Sequence, residues 1–241
     1  CGGCRGSGVG KDSGAGGSAH LRRYPDPALQ RLGRGNDLPR AGEPLQYVLG
    51  EWDFRRLTLK CDKRALIPRP ETEELVDWIV KEYSDNQGNL LDVGTGSGCI
   101  AVSTLAERED LCAVMVDKFP KTLDIAIKNA AYNGVSDRAV PMLFDVLSEE
   151  DRLCGRVFDA ILSNPPYINS NEIQALQKEV LKEPVMALDG GDDGLDFIFL
   201  LFFLYNYRLN EGTLSVRILF PLHQLVEIFI MILLLITVTI S

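Results

Sequence analysis

The sequence predicts an α/β fold: a doubly wound, mostly parallel sheet with a preceding β-hairpin. Three observations carry that prediction. Short β-prone runs alternate with helical patterns of about 10–15 residues through the middle of the chain. A glycine-rich turn, GTGSG at 94–98, joins one such run to a helix, and an acid, Asp117, closes the next run. Strands alternating with helices imply right-handed crossovers and a sheet covered on both faces.

The elements follow in order. Residues 1–43 are rich in glycine and arginine, show no periodicity and read as disordered. PLQYVLGEWDFRRLTLKCDKRALIPRPETE (44–73) holds short β-prone runs broken by Gly50 and Asp62, which predicts a hairpin and linker over 44–70. Pro70 with Glu71, Glu73 and Glu74 marks a helix start, with Leu75, Trp78 and Ile79 on one face. Strands are expected at 89–93, 111–117, 139–145 and 157–163, and helices at 98–107 and 121–132. Ile173, Leu176 and Val180 share the face of a further helix that ends at Pro184. Residues 197–209 can pack as a helix on the sheet, 212–220 can form another strand, and 228–241 make an apolar tail.

Composition bounds the function. A chain of 241 residues with 46% hydrophobic and 24% charged residues can bury a substantial core, as one large domain or two small ones. Its net charge of −9 is uneven: residues 1–70 carry 13 Lys/Arg and 7 Asp/Glu, and the rest carries 12 and 27. So acidic a body argues against broad electrostatic binding of nucleic acid, and no stable nucleic-acid partner is expected. The six cysteines are scattered apart from Cys1 and Cys4, and with only two histidines no metal-ligand set is expected. Scattered thiols suit a reducing compartment. No stretch reaches the roughly 20 apolar residues of a membrane span. The chain has no initiator methionine, so it is expected to begin inside a longer product. Its basic beginning partly resembles a mitochondrial presequence.

Three constellations carry chemistry. In LLDVGTGSGCIAV (90–102), Gly94, Gly96 and Gly98, with Thr95 and Ser97 between them, let the backbone approach a ligand and aim helix N–H groups at it. Cys99 stands where a dinucleotide fingerprint has its last glycine, and no phosphate-loop GK[ST] ending follows. Asp92, at the strand end, answers the need of a cationic ligand. Asp117 lies 19 residues past Gly98, at the adjacent strand's carboxyl edge, where acids accept hydrogen bonds from ribose hydroxyls. Asn164-Pro165-Pro166-Tyr167 forms a rigid corner at a third strand end. The Asn164 side chain and the carbonyls around Pro165 offer fixed acceptors, and Tyr167 offers a flat face. Together they suit a planar –NH2 group.

DVGTGSG, Asp117 and NPPY together resemble the class I S-adenosylmethionine-dependent methyltransferases, with their Rossmann-like sheet. PLQYVLGEWDF, LIPRPETEELV, SNPPYI and ALDGGDDGLDFI narrow the resemblance to the HemK/PrmC protein-glutamine methyltransferases, closest to their mitochondrial branch. The resemblance covers 44–198 closely and 199–227 loosely. It implies N5-methylation of the glutamine amide in the GGQ motif of peptide-chain release factors, with S-adenosyl-L-methionine as cofactor. It also implies that loop 94–98 holds the methionine part, Asp117 the ribose, and Asp145-Val146 the adenine. Asn164 would touch both cofactor and substrate, with Arg69 to Thr72 near the pocket. Some relatives carry an aromatic at the position of Val146, where valine stacks less. The Gly/Arg-rich tract stands in place of the family's N-terminal helical domain. In the family an antiparallel hairpin completes the sheet, and 212–220 can be its first strand, with the apolar tail replacing the last.

The methyltransferase domain is therefore expected over 71–227, in the mitochondrion or alternatively the cytoplasm. Three rivals remain: an impaired or truncated fragment that binds cofactor only, a DNA adenine-N6 methyltransferase using the same clamp on a flipped base, and a nicotinamide-dependent oxidoreductase.

Overall fold

The computed structural model describes residues 42–82, 88–146, 148, 153, 156 and 158–194 and the short strand Arg217–Leu219. The expectations for 1–41, for the 197–209 helix and for the apolar tail lie outside these residues.

A helical turn, α1 (Leu45–Leu49), opens the described chain and stops at Gly50, whose φ of 70° suits a left-handed C-cap. The β-prone run at 45–49 is thus helical. The hydroxyl of Tyr47 donates to the carbonyl of Ala65 at 2.9 Å, a tertiary contact that local propensity does not encode. The expected hairpin is formed by β1 (Glu51–Phe54) and β2 (Leu57–Lys60), paired antiparallel. Its turn contains Arg55 at φ 54°, the one non-glycine with positive φ among the described residues. Five contacts hold it there. Its N–H and Nη1 bond Glu73, Nε and Nη2 bond Glu107, and Nη2 pairs with Asp77 at 2.8 Å.

Helix α2 (Pro70–Glu82) starts with proline, whose missing N–H costs nothing in the first turn. It buries Leu75, Val76 and Ile79; Trp78, expected on that face, is 38% exposed, because the buried face is centred nearer Thr72. The sheet follows: β3 (Gly88–Val93), α3 (Cys99–Glu107), β4 (Leu111–Asp117), α4 (Pro120–Tyr132), β5 (Ala139–Leu143) and β6 (Ala160–Ser163). The last two strands are shorter than their apolar runs, since Phe144 and Phe158 are buried beyond the ladder ends. Pro141 sits in the edge strand β5, where its missing donor leaves no ladder bond unmade.

The strand order is β5-β4-β3-β6-β7, every neighbouring pair parallel. β7 is Arg217–Leu219, within the run expected to form a strand; it extends the sheet beside β6 as a parallel strand, and the hairpin partner expected after it lies outside the described residues. Alternate strand residues feed two cores. Leu90, Ala113, Met115, Ala160 and Leu162 pack with residues of α2, α3 and α4. Leu91, Val93, Val114, Val116 and Ile161 pack with Phe144, Val146, Leu153 and Phe158 on the other face. Burying each Leu- or Ile-sized side chain contributes about 1.5–3 kcal/mol.

Residues 173–187 form three separate 3-10 turns, Ile173–Ala175, Val180–Lys182 and Val185–Ala187, where one helix was expected up to Pro184. Among Ile173, Leu176 and Val180 only Ile173 is fully buried, so no continuous apolar stripe exists to pay for a helix.

Candidate active site

The chain leaves β3 for β4 and β5, then returns to place β6 on the other side of β3. This reversal is a topological switch point, where open α/β sheets bind ligands at the carboxyl edge. Register brings the motifs together there. Val93 pairs with both Val116 and Ser163, so the turns beginning at Gly94, at Asp117 and at Asn164 leave adjacent strands at one level. The Ser163 hydroxyl ties this edge by donating to the Val93 carbonyl at 2.9 Å.

The glycine loop is held from below and from the side. Gly94, Gly96 and Gly98 have φ of 65°, 58° and 80°. A Cβ on Gly98 would meet Ala126 at 3.2 Å, so the third glycine also permits close packing of α3 against α4. Asp92 is fully buried; its Oδ2 accepts the Thr95 hydroxyl at 2.7 Å and the Ala101 N–H at 3.3 Å, while Oδ1 has no hydrogen-bond partner. Burial pushes its carboxyl up to about 6. Asp117 accepts the Gly96 N–H at 3.1 Å and the Phe119 N–H at 2.9 Å, and burial raises it as well. Its carboxylate retains acceptor capacity toward the cleft, which suits a hydroxyl donor.

A cleft of about 690 Å3, part of it open to solvent, runs along this edge. Of the cofactor residues expected from sequence, Gly94, Gly96, Asp117, Asp145, Val146 and Asn164 line it. Asp92, Thr95, Ser97 and Gly98 do not; they are buried beneath the loop and shape it. Phe119 and Phe144 supply the flat apolar walls that Val146 lacks. Phe119 was recoverable from sequence, because it follows the ribose-type acid by two residues. The fit to a nucleoside cofactor carrying a cationic group is good: a hydroxyl acceptor, apolar walls, a bare backbone loop and an orphaned buried carboxylate oxygen. Among the described residues no cluster of His, Cys, Asp or Glu could hold a metal.

The proline corner borders a second cleft of about 1070 Å3, lined by Thr72, Asn164, Pro165 and Tyr167 among others. Pro166 faces the first cleft. Asn164 lines both clefts, and its Nδ2 donates to the Thr72 hydroxyl at 3.1 Å. The corner is braced by the ALDGGDDG segment. Ile168 N–H bonds Leu188 at 3.0 Å, Gly190 N–H bonds Ile168 at 2.9 Å, and Ser170 N–H bonds Gly191 at 2.9 Å. Asp189 accepts the Ser170 hydroxyl at 2.6 Å, and that bond lowers its carboxyl from the usual range. A Cβ on Gly190 would lie 2.8 Å from Tyr167 Cα, so backbone packs on backbone.

Sequence reasoning missed Glu183 altogether. Its side chain is 2% exposed, accepts the Ile67 N–H at 3.0 Å and pairs with Arg69, which fastens the LIPRPET segment to the site. A glutamate just before Pro184 gives no local signal of this, since Ile67 is 116 residues away.

Comparison with known proteins agrees with this geometry. A family profile described as "Methyltransferase small domain" matches residues 71–194, just over half of the chain. The release factor glutamine methyltransferase of Thermodesulfovibrio yellowstonii is 36% identical over 181 residues, covering 73% of this chain and 63% of the relative. The human MTRF1L release factor glutamine methyltransferase is 37% identical over 166 residues, covering 64% and 49%. That of Lactococcus lactis is 42% identical over 154 residues, covering 64% and 55%. The chain thus spans about half to three-fifths of the length of these relatives. Among solved structures, the hMettl16 catalytic domain in complex with the MAT2A 3'UTR hairpin 1 superposes with a TM-score of 0.52 at 18% identity, covering 62% of this chain and 57% of that one, a likeness of fold. The glycine loop, the buried acid Asp117 and the proline corner share one sheet edge within the matched region, and this chain belongs to the methyltransferase small domain family.

Proposed function

We propose that this chain methylates the side-chain amide nitrogen of glutamine in the GGQ motif of a peptide-chain release factor, using S-adenosyl-L-methionine. The observation that carries the reading is Asn164, the polar residue of the proline corner that stands where a nucleoside-type cleft meets a second, wider one. The names of the relatives support the substrate class.

In this reading Gly94, Gly96 and Asp117 hold the cofactor, Phe119, Phe144 and Val146 flank its base, and the buried Asp92 charge favours a cation above the loop. When bound, the cofactor supplies a methyl group activated on a sulfonium sulfur. Asn164 and the main-chain carbonyls of the corner accept the two amide N–H bonds, which orients the nitrogen and raises its electron density. Orientation of this kind can contribute about 7–11 kcal/mol. The same acceptors stabilise positive charge developing on the nitrogen. Tyr167, 40% exposed, offers its ring to the planar amide. The proton leaves to water after transfer.

The domain division follows the resemblance: 1–43 as a remnant tract, 44–70 as hairpin and linker, 71–227 as the methyltransferase domain and 228–241 as an atypical tail. A role in translation termination, with the mitochondrion as its compartment and the cytoplasm as alternative, rests on the same resemblance and the basic N-terminal segment. Among the described residues no helix is long and apolar enough to cross a membrane.

The test incubates the purified chain with methyl-labelled cofactor and a release factor, beside the same factor with the GGQ glutamine replaced by alanine, and duplex DNA. Label on the intact GGQ alone is expected. Label on DNA would replace the substrate, and cofactor binding without any transfer would leave a binding fragment.

A further inference from the structure

We infer that Thr72 is a positioning residue: its hydroxyl tethers the Asn164 side-chain amide and so fixes the plane in which Asn164 meets the reacting group. The inference rests on the glutamine-amide reading above and goes beyond it, because an asparagine clamp has two chemically opposite ends. Its Oδ1 accepts hydrogen bonds and its Nδ2 donates them, and the two ends are nearly equal in shape. A 180° turn would oppose an N–H donor with an N–H donor.

The structure supplies a tether for one end of the amide. Asn164 Nδ2 donates to Thr72 Oγ1 at 3.1 Å, across 92 residues of sequence. With the NH2 end held on Thr72, the oxygen lies at the other end of the amide plane. Thr72 is itself 1% exposed and rigidly held. It sits in the first turn of α2, and its N–H donates to the Arg69 carbonyl at 3.0 Å. Pro68 and Pro70 flank Arg69 and restrict its backbone. The preceding segment is pinned from three directions. Tyr47 bonds the Ala65 carbonyl at 2.9 Å, the Thr122 hydroxyl bonds the Arg64 carbonyl at 2.7 Å, and Glu183 takes the Ile67 N–H at 3.0 Å while pairing with Arg69. A hydroxyl fixed this firmly is a reference point for a side-chain amide, whose terminal torsion is otherwise broad and two-fold.

Thr72→Val keeps the shape and removes the acceptor; Thr72→Ser keeps the acceptor. In the full chain, Thr72→Val is expected to lower kcat/KM about 10-fold or more, mainly in kcat, with cofactor affinity and melting temperature close to wild type. Thr72→Ser is expected to recover most of that loss. A second readout needs no turnover. The side-chain NH2 signals of Asn164 in 15N-labelled protein, identified by their absence in Asn164→Ala, should exchange with solvent about 10-fold faster in Thr72→Val and not in Thr72→Ser. Unchanged exchange in Thr72→Val overturns the inference. So does a serine variant that fails with the valine one, or a valine variant that loses folding and cofactor binding together, since either assigns Thr72 to the scaffold. If the wild-type chain methylates no release factor, the functional reading fails, while amide exchange still decides whether Thr72 orients Asn164.

Discussion

Replacing Gly190 by alanine tests how the proline corner is held. A Cβ at this position would lie 2.8 Å from Tyr167 Cα and 2.9 Å from the Gly194 and Pro166 carbonyl oxygens. All three are backbone atoms, so no side chain can swing aside. Ordinary contact begins at 3.4 Å, so the two segments must part by roughly 0.6 Å. Overpacking of this kind costs about 1–3 kcal/mol of stability. The displacement falls on Pro166 and Tyr167, and a misplacement near 1 Å can cost about 100-fold in rate. Gly190→Ala should therefore lose about 10- to 100-fold in kcat while binding cofactor almost normally, because the 94–98 loop and Asp117 stand on other strand ends. Steady-state methyl transfer to a release factor, beside calorimetric titration of the cofactor, separates the two. Wild-type kcat in a folded Gly190→Ala protein would refute the argument that backbone contact positions the corner.

Three further outcomes are expected. Asn164→Ala leaves a buried amide donor of the substrate unpaired and should cost about 1–3 kcal/mol in kcat/KM, with folding preserved; a fully active variant would remove Asn164 from the reaction. Asp92 titrates from its ordinary 3.8 in the unfolded chain to about 6 when folded, so its contribution is fully present at low pH and is lost as pH rises through 6. Between pH 4 and 7.5 the stability of Asp92→Asn relative to wild type should therefore improve by up to about 3 kcal/mol, read from urea unfolding at each pH; a pH-independent difference would contradict it. Glu183→Gln keeps an acceptor for Ile67 N–H but loses the charge facing Arg69, whose side chain is 35% exposed. Because solvent screens that pair, the expected loss is only about 1–2 kcal/mol, seen as a lower urea midpoint, together with reduced kcat.

Much of this protein is legible in short windows of sequence. The α/β class, the glycine loop, Asp117 and the proline corner each depend on residues within a few positions of one another, where backbone sterics and strand-end chemistry act locally. Even so, the windows misjudged LQYVL, which is helical because the chain turns at Gly50 and Tyr47 reaches Ala65. They also suggested a helix over 173–184, where short turns serve to carry Glu183 and the glycines to the site. Arg55 at a positive φ is another such case, tolerable only because α2 and α3 bring Glu73, Asp77 and Glu107 to it.

Local chemistry, then, supplied the ingredients: a bare loop, a buried acid and a proline corner at three strand ends. Their arrangement depended on contacts between distant residues. Parallel register brought the three ends to one level, and Glu183 gripped Ile67 across 116 positions. Thr72 met Asn164 across 92, tethering one end of its side-chain amide. Such pairings are settled by burial and hydrogen-bond geometry in the assembled fold, and no spacing along the chain can express them.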